Sequence, residues 1–202
     1  MPAAEPNSPL PVRRRDAVMT RARILAAARR VFAARDYTQA RISDIAAAAD
    51  VNQALVIRYF GSKEQLFEIA LEAVLAELPM QDGYLWEGLA GRIVDHLTDD
   101  SEDTPDPLPM VIHATSDPVA QAISMRLMKQ HVLGPLGAWL GGTDGDVRAA
   151  EILALCAGFF TYRRLLPLAP FAGAMDPGAR QWLERALQDV LDGSMRGKVS
   201  RA

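Results

Sequence analysis

The sequence predicts an all-α protein of about nine helices, and three observations support that prediction. Apolar residues recur every three or four positions along most of the chain. No stretch alternates apolar and polar residues in the way that a half-buried strand does. Serine, glycine and proline residues lie where helices of this periodicity should begin and end. The chain is therefore expected to fold into helices joined by loops.

The charge is unevenly distributed along an otherwise ordinary globular composition. Of the 202 residues, 50% are hydrophobic and 23% are charged, and the net charge is −3. Residues 1–63 contain 11 lysines and arginines against five acidic residues, whereas residues 64–202 contain 11 against 20. A basic region joined to an acidic remainder predicts that only the basic region faces a polyanion. Chance clustering of arginines is the alternative.

Several classes of protein are disfavoured by the same composition. No apolar run approaches the roughly 20 residues that span a bilayer, and proline and arginine occupy the place of a secretory signal's apolar segment. A single cysteine, Cys156, excludes an internal disulfide. The three histidines have no metal-ligand spacing, and no glycine-rich phosphate loop is present. We therefore expect a cytoplasmic protein without metal or cofactor, and not an enzyme.

The first helix is expected to begin near Arg15 and to bury one side. Its arginines occupy most of the opposite surface. The predicted apolar stripe consists of Val18, Ala22, Leu25, Ala28 and Phe32.

The stretch ISDIAAAADVNQALVIRYFGSKEQLF, residues 42–67, predicts two short helices with a break after Ala49. Short helices are marginal in isolation, so packing must hold both. Ala46 and Ala49 permit a close helix crossing, and Asp50 is among the few non-glycine residues that readily adopt left-handed backbone angles. These are the requirements of a helix-turn-helix, whose second helix protrudes to enter a major groove. An alanine-rich hairpin buried in a bundle is the alternative.

The remaining helices are predicted from the same kinds of signal. Ser62 and Gln65 have capping-box spacing at the start of a helix that Pro79 ends. A helix that begins near Pro118 should be kinked or split by the Gly134-Pro135 pair. Further helices are expected over about 82–97, 109–114, 146–166 and 177–192, with loops at 98–109 and 167–179.

The residues after the second short helix carry a family resemblance. Ile45-Ala46, Val51-Asn52 and the run Tyr59-Phe60-Gly61-Ser62-Lys63-Glu64-Gln65-Leu66 resemble the N-terminal domain of the tetracycline-repressor-like (TetR) family. The resemblance covers about residues 17–78. The chain departs from the family pattern at Asp36 and Asp50, which replace glycines, at Arg41, which replaces a threonine, and at Ile57, which replaces an aromatic residue.

The resemblance implies a helix-turn-helix DNA-binding domain over residues 16–62 and a helical regulatory and dimerisation domain over residues 63–202. The helix that starts at about residue 62 would connect them. A flexible, basic, proline-rich arm is expected over residues 1–15. Its arginines would enter the adjacent minor groove, or would add only nonspecific attraction. They are Arg13, Arg14 and Arg15.

Candidate base contacts lie at the start of the second short helix. Asn52 and Gln53 suit hydrogen bonds with base edges, adenine most naturally, although Asn52 is equally suited to cap the helix. Arg58 suits guanine or a phosphate. Ala54 and Leu55 suit the methyl groups of thymine.

Candidate phosphate contacts flank that helix. Lys63 lies in the first turn of the next helix, where free N–H groups and the helix dipole favour an anion. A solvated surface lysine is the alternative. The hydroxyl of Tyr59 suits the phosphodiester, unless the residue is a plain core tyrosine. Arg41 and Ser43 are the other two candidate phosphate contacts.

The resemblance also implies a homodimer built by the last two long helices, with two recognition helices about 34 Å apart on a palindromic operator. The same apolar residues would serve an intramolecular core equally well. The candidate interface residues are Ile152, Leu155, Phe159, Trp182, Leu183, Leu187 and Leu191.

A small-molecule chamber in the body is implied as well. Methionine and aromatic residues are its candidate lining, although they are also ordinary components of a core. The candidates are Trp86, Met110, His113, Met125, Met128, Trp139, Phe160 and Tyr162.

Together these features predict a dimeric transcriptional regulator, a repressor that an unidentified small molecule releases from double-stranded operator DNA. Two alternatives have weaker support. One is a helical protein-interaction module that has lost DNA binding, for which the departures at Arg41 and Ile57 argue. The other is an enzyme, although Cys156 lies in the apolar run LALCAGFF, which favours an unreactive thiol.

Overall fold

The computed structural model describes residues 12–78, 88–99, 101 and 106–193, with side chains from residue 16 onward. These residues form α-helices and no strand, which confirms the predicted fold class. The helices are α1 (Val12–Ala34), α2 (Ile42–Ala48), α3 (Gln53–Phe60), α4 (Lys63–Ala76), α5 (Leu89–Thr98), α6 (Leu108–His113), α7 (Pro118–Met128), α8 (Gly134–Leu140), α9 (Gly145–Phe160) and α10 (Pro177–Leu191).

Three helices continue into turns of different pitch. A 3₁₀ turn, Ala114–Ser116, follows α6, and π-helical turns follow α7 and α9 at Lys129–Leu133 and Thr161–Leu165. The first π-helical turn immediately precedes Gly134 and Pro135, where the sequence predicts a kinked or split helix. Proline has no N–H to donate, so a regular α-helical ladder cannot continue through this point.

The described helices pack into two compact units. One contains the chain up to Ala73 together with Pro109–Ser124. The other contains Val74–Leu108 and the chain from Met125 onward. The division does not follow chain order, since the segment 109–124 joins the N-terminal helices. We call these the first and the second unit.

The core of the first unit lies along the second half of α1. Ile24, Ala27, Ala28 and Phe32 are buried there. The predicted stripe is therefore right at Ala28 and Phe32 and wrong at its start, since Val18 is 56% exposed. Among the α1 side chains that the structure describes, Ile24 is the first buried one, so Val18 lies before the start of the core.

The start of α4 confirms the predicted capping box. The Ser62 backbone N–H donates to Oε1 of Gln65 at 3.1 Å, and the Gln65 N–H donates to Oγ of Ser62 at 3.2 Å. These reciprocal bonds satisfy two of the N–H groups that a helix start leaves without intrahelical partners.

The second unit contains the apolar face of α5 and the two long C-terminal helices. Leu89, Val94 and Leu97 of α5 are buried, as are Leu183 and Leu187 of α10. Asp176 caps α10 by accepting from the Ala179 N–H at 3.0 Å, and Pro177 occupies the first helical position. No helix among the described residues is long and apolar enough to cross a membrane.

Candidate functional site

A left-handed residue makes the sharp turn between α2 and α3. Asp50 has a φ of 52°, which confirms the conformation predicted for it. The backbone N–H groups of Asp50 and Val51 donate to the carbonyls of Ala47 at 3.1 Å and Ala46 at 3.0 Å. This pair of bonds is a Schellman motif, which satisfies the last carbonyls of α2 and sets the direction of the chain.

Arg23 of α1 holds that turn from the side. Its guanidinium donates to the carbonyls of Ala49 and Asp50, the second at 3.0 Å, and lies 3.6 Å from the Asp50 carboxylate. The ion pair is largely exposed and contributes little by itself. The two carbonyl bonds orient the turn. Because Arg23 precedes Asp50 by 27 positions, no local sequence signal indicates this contact.

Helix α3 buries one edge and exposes the other. Val56 and Phe60 are buried, whereas Gln53, Ala54 and Arg58 are exposed. The helix has eight residues, and so is about 12 Å long, close to the width of a major groove. Its exposed edge offers polar and small side chains together with Ile57, which is 45% exposed.

Asn52 is the N-cap of α3. Its Oδ1 accepts a hydrogen bond from the Leu55 N–H at 2.8 Å. The structure thus shows the capping role that the sequence left open beside base contact. The amide NH₂ group takes no part in this cap.

Lys63 is engaged within the first unit. Its Nζ donates to the carbonyl of Tyr37 and lies 4.0 Å from the centroid of the Tyr37 ring. Burial lowers the pKa of Lys63, against the opposing charges of Glu64 and Asp117. A cation–π contact and a hydrogen bond thus join the first turn of α4 to the loop after α1.

The other candidate phosphate contacts are distributed around α2 and α3. Arg41 is the N-cap residue of α2, is exposed, and makes no side-chain capping bond. Ser43 and Tyr59 are half-buried.

The predicted basic arm is shorter than expected. Helix α1 already begins at Val12, so Arg13, Arg14 and Arg15 belong to a helix and not to a flexible tail. The residues that follow Pro11 include no helix breaker, which allows the helix to start there. The three arginine side chains and residues 1–11 lie outside the described part of the chain.

A mainly apolar cavity of about 130 Å³ lies within the second unit. Polar atoms form almost none of the surface that faces it. Its walls come from the residues just after α4, from α5, from the start of α6 and the loop before it, from the run that joins α7 to α8, and from α9. The lining residues are Leu78, Leu89, Arg92, Ile93, His96, Leu97, Asp106, Pro107, Leu108, Met128, Val132, Leu136, Ile152, Leu153 and Cys156.

Two ionisable groups on the cavity wall have shifted pKa values. Burial raises the pKa of Asp106, although the charges of His96 and Arg164 and a hydrogen bond from the Leu108 N–H, at 2.9 Å, oppose that shift. Burial, with the Asp106 charge, raises the pKa of the Cys156 thiol to about 12. The thiol is therefore neutral at physiological pH, as the apolar run around it predicts.

Two family descriptions match successive parts of the chain. Residues 24–70, which include α2 and α3, match the family described as bacterial regulatory proteins, tetR family. Residues 87–191, just over half of the chain, match the tetracyclin repressor-like C-terminal domain. The chain belongs to the TetR family. This confirms the resemblance and, because the family is one of regulatory proteins, the prediction that the chain is not an enzyme.

Relatives of this TetR-family chain include two repressors. The HTH-type transcriptional repressor NicS of Pseudomonas putida is 39% identical over 79 residues, which are 39% of this chain and 37% of NicS. The HTH-type transcriptional repressor SCO4008 of Streptomyces coelicolor is 38% identical over 85 residues, 41% of this chain and 44% of the relative. The chain thus matches less than half the length of either relative.

Solved structures show the same fold over most of the chain. The multidrug binding protein EbrR, crystallised with malachite green, superposes with a TM-score of 0.60 at 18% identity. The superposition covers 84% of this chain and 96% of EbrR.

The cavity of this TetR-family chain differs from the predicted chamber. Of the candidate lining residues only Met128 lies on its wall. Met125, Trp139 and Tyr162 are exposed, and Phe160 is buried elsewhere. Trp86 lies outside the described residues.

Two further chamber candidates, Met110 and His113, belong to the first unit. Met110 is buried there. The Nδ1 atom of His113 lies 3.0 Å from the Asp36 carboxylate. The backbone carbonyl of His113 accepts from the Tyr37 N–H at 3.0 Å. His113 therefore fastens the segment after α6 to the loop after α1.

The missed cavity residues are mostly leucine, isoleucine and valine. A search for methionine and aromatic residues does not find them, because aliphatic residues line cores and cavities alike. One signal was present: Leu89, Ile93 and Leu97 recur every four residues on α5 and all face the cavity.

The candidate dimer residues divide into two sets. Ile152, Phe159, Leu183 and Leu187 are buried by their own chain, which is the intramolecular alternative that the sequence left open. Trp182 is 48% exposed and packs its ring 5.9 Å from that of Phe171. Leu155 and Leu191 are half-buried.

Proposed function

We propose that this TetR-family protein is a sequence-specific DNA-binding transcriptional repressor that a small-molecule ligand releases from its operator. The observation that supports this most directly is helix α3. Val56 and Phe60 are buried in the first unit, whereas Gln53, Ala54, Ile57 and Arg58 are exposed. The helix also belongs to the basic part of the sequence. A helix held in this way can enter a major groove without unfolding.

The exposed edge of α3 would read the bases. Gln53 would pair with adenine, and Arg58 with guanine or a phosphate. Ala54 and Leu55 would contact the methyl groups of thymine. Asn52 would hold the start of the helix through its cap and offer its NH₂ group to an adjacent base edge.

Residues around α3 would position the helix on the phosphates. Arg41, Ser43 and Tyr59 would bind one strand, and Lys63 would exchange its contacts with Tyr37 for a phosphate. The arginines at positions 13–15 would add attraction that is independent of sequence. Such contacts determine affinity and register, and the base contacts determine specificity.

A homodimer would supply the second recognition helix. Two copies of α3 about 34 Å apart would match a palindromic operator. Helices α9 and α10 would form the interface, with Trp182, Leu155 and Leu191 as the residues that their own unit leaves partly uncovered. A repressor acts on the chromosome, so the proposal places the protein in the bacterial cytoplasm.

The cavity of the second unit would bind the ligand. EbrR, a protein of the same fold, binds malachite green. A ligand that binds more tightly to a dimer with altered spacing of its recognition helices would weaken operator binding by the same free energy. The ligand must therefore have different affinities for the two states.

The test is a selection of DNA sequences by the purified protein, followed by fluorescence anisotropy with the selected site. Arg58→Ala should weaken specific binding by about 1–3 kcal/mol, or about 5- to 150-fold. Arg126→Ala, at an exposed position of α7 outside the proposed DNA and dimer contacts, is the matched control and should leave the affinity unchanged. If no sequence is enriched and the protein binds every DNA sequence with the same salt-dependent affinity, it is instead an interaction module that has lost DNA recognition.

A further inference from the structure

The cavity of the second unit has a size and a chemistry that restrict its occupant. Its volume of about 130 Å³ is close to that of an engineered protein cavity of about 150 Å³ that stays dry and binds benzene. One aromatic ring, or an aliphatic molecule of similar volume, therefore fills it.

The described residues of the wall offer an occupant almost no hydrogen bonds. Aliphatic side chains such as Ile93, Val132 and Leu136 form most of it, and almost no polar atom faces the cavity. A hydroxyl or amide group on the occupant would lose its hydrogen bonds to water without replacement, and that loss opposes binding.

The charged groups on the wall already interact with the protein itself. The Asp106 carboxylate accepts from the Leu108 N–H at 2.9 Å, and it interacts electrostatically with His96 and Arg164. Arg92, the remaining cation of the wall, has an interaction of its own within the protein. A charged occupant would therefore be desolvated and would have to compete with these interactions for a counter-charge.

We propose that the ligand of this cavity is a neutral, apolar molecule of about the size of a single aromatic ring, and that the cavity rejects anions and cations of the same shape. The proposal deepens the function proposed above, because it gives the chemical class of the releasing ligand. It follows from the volume of the cavity, its nearly apolar surface and the hydrogen bond that Asp106 already accepts.

The experiment uses four ring compounds of similar size: chlorobenzene, phenol, benzoate and benzylammonium. Isothermal titration calorimetry on the full-length protein should show the tightest binding for chlorobenzene. Phenol should bind about 5- to 150-fold more weakly, because its hydroxyl is buried without a partner. Benzoate and benzylammonium should show no binding even at a concentration tenfold higher than the one that saturates the protein with chlorobenzene. Equal or tighter binding of either ion, or no binding of chlorobenzene, would overturn the proposal.

Two variants locate the binding in this cavity. Val132→Phe adds a ring to the wall and should abolish chlorobenzene binding, whereas Val147→Phe, at a half-exposed position of α9, should not. If Val132→Phe fails to fold, Leu136→Ala serves instead, because it enlarges the cavity. That variant should shift the preference from chlorobenzene toward naphthalene by at least about tenfold. An unchanged preference would overturn the assignment to this cavity.

Operator binding is measured on the same samples. If chlorobenzene binds in the expected order but leaves operator affinity unchanged, the ligand class is right and ligand-controlled release is wrong. If the operator is bound while no neutral ring compound is, the ligand class is wrong and DNA recognition is unaffected.

Discussion

In the first unit, apolar side chains of α1, α2 and α3 are buried against one another, whereas in the second unit several apolar side chains face a cavity. The main cleft on the first unit is open and polar, and its lining includes Arg35 and Asp44, which form an ion pair at 3.1 Å. Protein interiors are normally close-packed, and unfilled apolar space reduces stability. This contrast supports the proposal that the cavity of the second unit binds a ligand, whereas the first unit keeps a fixed shape.

The largest expected effect is on the reactivity of Cys156, which tests whether the cavity wall excludes water. The pKa of Cys156 is raised to about 12, so at pH 8 its thiolate fraction is far below that of an unfolded cysteine. Reaction with iodoacetamide should be on the order of a thousandfold slower in the native protein than in urea. A native rate close to the unfolded rate would show that this wall is open to solvent and would remove the contrast between the two units.

Next in size is the loss of a core ring from the first unit. Phe32 packs with Phe67 at 5.1 Å and with Tyr37 at 5.9 Å between ring centroids. Phe32→Ala should lower the free energy of unfolding by about 3–5 kcal/mol in urea denaturation. Phe159→Ala, at a similarly buried position of the second unit, is the matched comparison and should cost less. Equal losses would contradict the tighter packing of the first unit.

A smaller effect is expected at the turn between α2 and α3. Asp50→Val places a β-branched residue at a φ of 52° and should cost about 1–2 kcal/mol. Asp50→Gly removes the backbone penalty and only a weak surface ion pair, so its unfolding free energy should stay within about 0.5 kcal/mol of the parent. If both variants are equally destabilised, the carboxylate and not the backbone conformation matters.

The smallest effect separates the two roles of Asn52. Asn52→Ala removes the cap on the Leu55 N–H and should cost about 1 kcal/mol. Asn52→Asp keeps an acceptor and should restore stability, but it removes the NH₂ donor and adds a negative charge beside DNA. Operator binding by Asn52→Asp at parental affinity would limit Asn52 to a structural role.

Local signals were enough to predict several elements. The capping box at Ser62 and Gln65, the left-handed turn at Asp50 and the short α3 each depend on residues within a few positions of one another. The start of α1 was predicted less well, because a proline-rich tail suggested an arm where the helix already begins. The contact of Arg23 with the turn and the contact of His113 with Asp36 were not predicted, since both join distant parts of the chain.

The sequence by itself determined the all-α fold, the family and the helix that is proposed to read DNA, because periodicity, caps and turn residues act over one or two helical turns. Only the tertiary structure decided which aliphatic residues surround empty space, and which of the candidate interface residues their own chain buries. A leucine on a cavity wall and a leucine in a filled core have the same local sequence signal. The difference between them lies in the atoms that other helices bring, or do not bring, to the opposite side.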